Sequence, residues 1–230
     1  MYAHEPPEYF PSLVFFAQMA AVDRFVVDDG LQYSRQSFQN RARLRTPDGI
    51  QWITVPLTGG QFGRSIADTE IDHSQNWVTR HLKALRFNYG SAPFYGHYLP
   101  ALEEILRRDS ARLGELTRAL VACLHAQLRL TSRLVFTSEP HAGAGAERRV
   151  FDLTAGPESA RIRLVRTSMS ADDGDADRTE ILNFTCPEYR QNFPGFAPDL
   201  SVLDLLFNLG PDAAHILRAA TWAAIPLYGS

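Results

Sequence analysis

The apolar positions in the first thirty residues change from a helical pattern to a strand pattern. The apolar run at residues 12–22 predicts a buried helix, and the short β-branched and aromatic run at 24–27 predicts a buried strand. The Asp-Asp-Gly sequence at 28–30 then indicates a turn. A helix followed closely by a buried strand is half of a βαβ unit, so we expect its first strand at residues 1–4.

The next segment predicts an antiparallel hairpin. Its arms are residues 41–45 and 51–57, and the Thr-Pro-Asp-Gly sequence at 46–49 supplies a turn because the ring of Pro47 presets its φ angle. A polar, glycine-containing loop follows, and a short strand is predicted at residues 69–72.

Helical periodicity dominates the middle and the end of the chain. The predicted helices are residues 76–89, 99–108, 111–130, 202–209 and 213–224. Asp72 or Ser74 is expected to cap the first of them, and Ser201 with Asp204 forms an S-x-x-D capping pattern at the fourth. The Gly-Pro pair at 210–211 should end that fourth helix.

Together these elements predict an α/β fold class. We expect a mostly parallel or mixed sheet with a βαβ-like start, a β-hairpin insertion and a helical middle and C-terminal part. Further strands are predicted at 134–136 and 161–165. No linker is visible, so residues 1–230 are interpreted as one domain with mobile loops near 139–160 and 168–177.

Composition and charge exclude several classes of protein. The content of 45% hydrophobic and 21% charged residues is typical of a globular protein. A net charge of −3 argues against a nucleic-acid-coating protein, which needs a basic excess. No apolar stretch reaches the length of a membrane span and no signal peptide is recognised, so a cytoplasmic location is expected.

Two groups of side chains are candidates for chemistry. Arg41, Arg43 and Arg45 alternate along a predicted strand, which places their guanidinium groups on one face, where they could bind phosphate or carboxylate. The alternative is a solvated strand face. His81 follows Trp77 by one helical turn and is either a packed histidine or a general base, since an imidazole titrates near neutral pH.

The predicted carboxyl ends of the first strands carry His4, Asp28 and Asp29. Ligands commonly bind at that edge of a parallel sheet. The commonest role of two such aspartates is turn formation, and no ligand spacing indicates a metal, so no metal site is predicted. The standard nucleotide, serine-hydrolase and zincin motifs are absent from the sequence as well.

Several blocks of sequence resemble the WbqC-like family. They run in the family's order from about residue 4 to residue 211 and are HEPPEYFPSLVFFAQMAAVD at 4–23, YSRQSFQNR at 33–41, Thr-Val-Pro at 54–56, Trp77 with His81, YGSAPF at 89–94, and FAPDLSVLDLLFNLGP at 196–211. The start departs from the usual pattern, because Glu5 stands where the family has Gln, and His4 is therefore left out of the predicted site.

The resemblance implies a bacterial protein associated with lipopolysaccharide O-antigen or other surface glycans. We interpret the chain as an enzyme, a transferase that adds an acyl or aminoacyl group to an activated sugar. The predicted catalytic residues are His81 and Asn40, and the predicted substrate-binding residues are Gln36, Ser37, Arg41, Arg43, Trp77 and Tyr89. The expected partner is a small-molecule substrate, with a sugar nucleotide as the candidate, and no cofactor is assigned.

Two other classes of function stay open. One is a nucleotide-binding protein of the nucleotidyltransferase type, although Val14-Phe15 stands where such enzymes carry a Gly-His step. The other is a non-catalytic binding or scaffold protein, which the lack of a strong catalytic motif favours.

Overall fold

A computed structural model describes residues 2–137, 152–153, 161–167, 178–219 and 221–224. The elements in chain order are β1 (Tyr2–Glu5), α1 (Leu13–Ala20), β2 (Arg24–Val27), β3 (Arg41–Thr46), β4 (Gly49–Thr54), α2 (Trp77–Tyr89), α3 (Tyr95–Leu106), α4 (Leu113–Gln127), β5 (Arg133–Phe136), β6 (Asp152–Leu153), β7 (Arg161–Thr167), β8 (Arg178–Phe184), α5 (Val202–Leu209), α6 (Ala213–Leu217) and β9 (Thr221–Ala224). The predicted α/β class is confirmed.

A parallel sheet forms the start of the fold, with strand order β1-β2-β5. Helix α1 connects β1 to β2, so the predicted βαβ opening is confirmed and its first strand is β1. Glu5 is paired with Val27, and Val27 with Phe136. Because this register aligns the last residues of all three strands, their carboxyl ends meet at one edge of the sheet.

The predicted hairpin is formed by β3 and β4. Thr46 pairs with Gly49 across the turn at Pro47-Asp48, and Gly49 has a φ of 129°, which a residue with a side chain rarely adopts. The second strand therefore begins and ends earlier than the predicted arm, at Gly49 and Thr54.

Two local predictions next to helix α2 are wrong. Residues 69–72 form isolated bridges rather than a strand, with Ile71 opposite Leu57. Neither Asp72 nor Ser74 caps α2, which begins at Trp77 without a side-chain cap. The reason is local competition, because the Asp72 carboxyl accepts hydrogen bonds from the backbone N–H and the hydroxyl of Ser74 instead.

The C-terminal part forms a four-stranded antiparallel sheet of order β6-β7-β8-β9. Helix α6 ends at Leu217, so the predicted helix at 213–224 is wrong in its second half, where β9 pairs with β8. Sequence periodicity does not register this long-range pairing, which overrides the local pattern. Of the predicted loops at 139–160 and 168–177, all but Asp152–Leu153 lies outside the described residues.

The core is built around α1 and the leucine face of α4. Every residue of α1 from Leu13 to Met19 is buried, including the polar Gln18, whose side-chain amide has no hydrogen-bond partner in the described structure. The leucines at positions 113, 116, 120 and 124 of α4, and at its C-cap position 128, are at most 3% exposed and form one buried face. The first N–H groups of α4 donate to backbone carbonyls, Leu113 to Thr69 and Gly114 to Ile66, so this helix end needs no side-chain cap.

This close approach of backbones makes Gly114 essential for packing. A Cβ at this position would lie 2.7 Å from Ala67 Cα and 3.3 Å from Asp29 Oδ2. We therefore expect Gly114→Ala to lower the free energy of unfolding by about 1–3 kcal/mol, measured by urea denaturation. The matched control is Gly96→Ala in α3, where nothing lies within 4 Å of the added methyl group. Equal stabilities of the two variants would contradict this account of α4 packing.

Candidate functional site

The carboxyl edge of the parallel sheet brings together three polar side chains. His4 lies in β1, Asp28 follows β2 and Thr137 follows β5. His4 Nε2 lies 3.0 Å from Asp28 Oδ2, and the Thr137 hydroxyl donates to Asp28 Oδ1 over 2.8 Å. His4 and Thr137 are 133 positions apart in the sequence, and the parallel pairing of the three strands brings them together.

The environment of Asp28 favours its charged form. A hydrogen bond from His4 is the main cause that lowers the pKa of this carboxyl, and the bonds from Thr137 and the Gly30 N–H add to it, while burial acts in the opposite direction. An ionised carboxylate at Nε2 selects the imidazole tautomer that carries its proton there.

The contact with Asp28 also fixes the orientation of the His4 ring. Its Nδ1 carries the lone pair in that tautomer and, among the described residues, makes no hydrogen bond. The side chains of His4 and Asp28 are 15% and 17% exposed, so the pair is largely buried. A histidine held by a carboxylate on one nitrogen and open on the other matches the arrangement of a general base.

Asp29 has a different, structural position. It is 1% exposed, and its carboxyl lies 3.4 Å from Arg118 Nε beside the first turn of α4. A carboxylate near a helix N-terminus is favourable because the helix dipole is positive there. The Thr137 hydroxyl also donates to Asp29 Oδ1 over 3.4 Å, so Asp29 contacts α4 and at the same time borders the His4–Asp28 pair.

The N-terminus of α1 also faces this edge but is already capped. Ser12 Oγ accepts from Phe15 N–H, and Ser12 N–H donates to Glu8 Oε2 over 2.8 Å. A phosphate at this helix end would meet the Glu8 carboxyl, which is 3% exposed. The geometry here gives no support to the nucleotidyltransferase hypothesis, which needs a phosphate site at such a position.

The predicted site residues Trp77 and His81 lie in a buried aromatic cluster. The rings of Trp77 and His81 are 5.2 Å apart, and His81 Nδ1 lies 2.8 Å from the hydroxyl of Tyr9. The imidazole also bonds the backbone of Thr54, and burial lowers its pKa to about 4. His81 is thus neutral at physiological pH and joins α2 to β4 and to the segment after β1; its catalytic role stays a prediction.

Tyr89 belongs to a different buried network. Its hydroxyl accepts from the Arg45 backbone N–H over 2.8 Å, and it also interacts with Asp204. The Asp204 carboxyl accepts a 2.6 Å bond from the Tyr189 hydroxyl. The capping prediction is therefore half wrong, because Ser201 caps α5 while the Asp204 side chain turns into the core. Burial raises the pKa of Asp204 to about 6.

Both polar atoms of the side-chain amide of Asn40, a predicted catalytic residue, form hydrogen bonds. Its oxygen accepts from the Tyr33 hydroxyl over 3.1 Å, and its nitrogen donates to the Val55 carbonyl over 2.9 Å. Nearby, Ser37 Oγ donates to the Ser34 carbonyl, and Gln36 adopts a φ of 60°. In the structure, Asn40 holds the start of the hairpin to its neighbours.

Arg41 and Arg43 lie on the outer face of the hairpin, with Trp52 between them. Their guanidinium carbons are 4.2 and 4.9 Å from the Trp52 ring centroid. Arg45, the third member of the predicted row, is 5% exposed and donates to the carbonyls of Thr46, Gly49 and Pro194. The predicted site is thus divided among the aromatic cluster, the hairpin face and the Asp204 network.

Sequence reasoning missed the pairing of His4 with Asp28. The available signal was a histidine and an aspartate near the ends of two strands of one βαβ unit. In the described ranges, no three His, Cys, Asp or Glu side chains group as metal ligands. No helix of the described chain is long and apolar enough to cross a membrane.

These features define an α/β protein with a candidate ligand site at the carboxyl edge of a parallel sheet. The chain belongs to the WbqC-like protein family, whose model matches residues 6–216. It is similar to Uncharacterized protein Rv1507c of Mycobacterium tuberculosis, with 32% identity over 218 residues that cover 91% of this chain and 94% of that protein. No solved structure is significantly similar.

The opposite pKa shifts of Asp204 and His81 predict a pH dependence of stability. The raised pKa of Asp204 gives stability that is present below about pH 4 and lost as the pH rises through about 6. The lowered pKa of His81 gives stability that is present above about pH 6.5 and lost as the pH falls through about 4. Each contributes about 3 kcal/mol, with opposite signs, so the two offset each other.

Urea unfolding between pH 4 and 6.5 separates the two contributions. Relative to the wild type, Asp204→Asn should gain in stability as the pH rises, whereas His81→Gln should lose stability as the pH rises. Parallel pH profiles for both variants and the wild type would show that neither group titrates abnormally in the folded protein.

Proposed function

We propose that this protein is a transferase that adds an acyl or aminoacyl group to an activated sugar in the synthesis of a bacterial surface polysaccharide, with His4 as its general base. The observation that supports this reaction class is the His4–Asp28 pair at the carboxyl edge of the parallel sheet. The choice of an activated sugar as the acceptor rests on the family resemblance. The substrates are small molecules because an acyl or aminoacyl group and an activated sugar are both small.

The proposed chemistry needs one proton to move. His4 Nδ1 takes the proton of the acceptor hydroxyl or amine while that atom attacks the acyl carbonyl of the donor. The Asp28 carboxylate stabilises the imidazolium that forms, and Thr137 holds Asp28 in place. When the tetrahedral intermediate collapses, the proton passes from Nδ1 to the leaving group, so the base is regenerated.

The residues predicted from the sequence enter this proposal as positioning residues. His81 bonds Tyr9, which lies five residues after His4 in the segment that connects β1 to α1. Asn40 fixes the start of the hairpin. We propose that both act on the reaction through the shape of the site rather than by proton transfer.

The test is product formation by the purified protein from a panel of sugar nucleotides and acyl or aminoacyl donors. We expect His4→Ala and Asp28→Asn to lower kcat by about 10²- to 10⁴-fold, the usual contribution of a general base. His81→Gln should lower the rate less and leave the pH profile of the rate unchanged, since it transfers no proton.

The control is His215→Ala, which removes an exposed histidine from α6. Melting temperatures of all variants exclude loss of the fold as the cause. Wild-type rates for His4→Ala, with the fold intact, would overturn the proposed base. Absence of transfer with every donor and acceptor would favour the non-catalytic binding hypothesis.

A further inference from the structure

We infer that the side chains of Arg35 and Arg41 bind an oxyanion, which is the carboxylate or phosphate group of a small molecule. Arg35 lies in the turn at residues 35–40 that precedes β3, and Arg41 is the first residue of β3. The inference concerns binding alone and uses no part of the His4–Asp28 pair, so it does not rest on the proposed function.

The turn at 35–40 is held in one conformation by side-chain hydrogen bonds. The Ser34 N–H donates to Gln39 Oε1 over 2.8 Å, and the Ser37 hydroxyl donates to the Ser34 carbonyl over 2.6 Å. Within this turn, Gln36 has a left-handed φ of 60°, a conformation that costs energy for a residue with a side chain. The surrounding bonds maintain this strained backbone, which fixes the directions of the carbonyls at 36 and 37.

Those two carbonyls orient the guanidinium group of Arg41. Its Nε donates to the Ser37 carbonyl over 3.1 Å, and its Nη2 donates to the Gln36 carbonyl. The guanidinium carbon also lies 4.2 Å from the centroid of the Trp52 ring, which covers one face of the cation. The position of the Arg41 cation is therefore fixed by the protein before any ligand arrives.

One edge of this oriented cation is open. A guanidinium carries five N–H donors, and the two carbonyls take one from Nε and one from Nη2. In the described part of the chain, Arg41 Nη1 makes no hydrogen bond and Arg41 forms no ion pair with a carboxylate. The two terminal nitrogens thus present parallel N–H groups, the arrangement that a carboxylate or a phosphate accepts with two oxygens.

Arg35 supplies a second positive charge near the same place. Burial raises the pKa of the Tyr33 hydroxyl, and the charges of Arg35 and Arg41 act in the opposite direction, so both cations lie within electrostatic reach of that hydroxyl. The hydroxyl stays protonated at neutral pH and does not neutralise them. Arg35 is exposed, and among the described residues its guanidinium forms no ion pair. Two such cations attract an anion.

Isothermal titration calorimetry of the full chain, at neutral pH and constant ionic strength, tests the inference with inorganic pyrophosphate, glucuronate and glucose. We expect saturable binding of pyrophosphate, of glucuronate or of both, and no binding of glucose. The anion that binds identifies the oxyanion as a phosphate or a carboxylate. Absence of binding by both anions would overturn the inference.

Three variants locate the bound anion. Arg41→Gln should weaken binding about tenfold or more, because it removes a charge-assisted double hydrogen bond. Arg35→Gln should weaken binding by about two- to fivefold, since an exposed charge contributes less. Arg41→Lys keeps the positive charge but loses the parallel N–H groups, so it should regain only a minor part of the lost affinity.

The matched control is Arg80→Gln in α2, which removes an exposed arginine that donates to the neutral amide of Gln75 and should bind like the wild type. Melting temperatures show that each variant is folded. Arg41 also braces the turn, so Arg35→Gln tests the site without removing those bonds. Wild-type affinity in Arg35→Gln and Arg41→Gln, full affinity in Arg41→Lys, or an equal loss in Arg80→Gln would each overturn the inference.

Discussion

Parallel pairing of β1 with β2 is the constraint on which the rest of the structure depends. Two parallel strands need a crossover, and α1 provides it as a helix that is buried from Leu13 to Met19 and lies inside the core. The same pairing aligns the strand ends, so that His4 meets Asp28 without any sequence motif. Thus one topological requirement produces both the core and the candidate base.

Buried polar groups connect the elements that surround this core. His81 joins α2 to Tyr9 and to the backbone of Thr54, and Asp204 joins α5 to the segment that carries Tyr189. Burial favours the uncharged form of both side chains, because a charged group loses its hydration when it leaves the solvent. Specific partners rather than apolar contact alone therefore fix how the helices meet the hairpin.

The His4–Asp28 pair and the outer face of the β3–β4 hairpin lie in different environments. The His4–Asp28 pair is nearly enclosed, as a base that must keep its tautomer requires. On the hairpin, by contrast, Arg41 and Arg43 lie over the ring of Trp52, which is 38% exposed. The segment after β1 links them, because the Tyr9 N–H donates to the Phe38 carbonyl.

The sequence by itself determined the helices, the βαβ opening, the hairpin and the family, because these follow from local periodicity, turn residues and ordered blocks. Only the tertiary structure decided which polar residues meet. It buried His81 against Tyr9, turned Asp204 away from its helix cap and joined His4 to Asp28. The pattern of a sequence indicates the face on which a side chain lies, but burial and hydrogen bonding depend on which distant segments pack against that face.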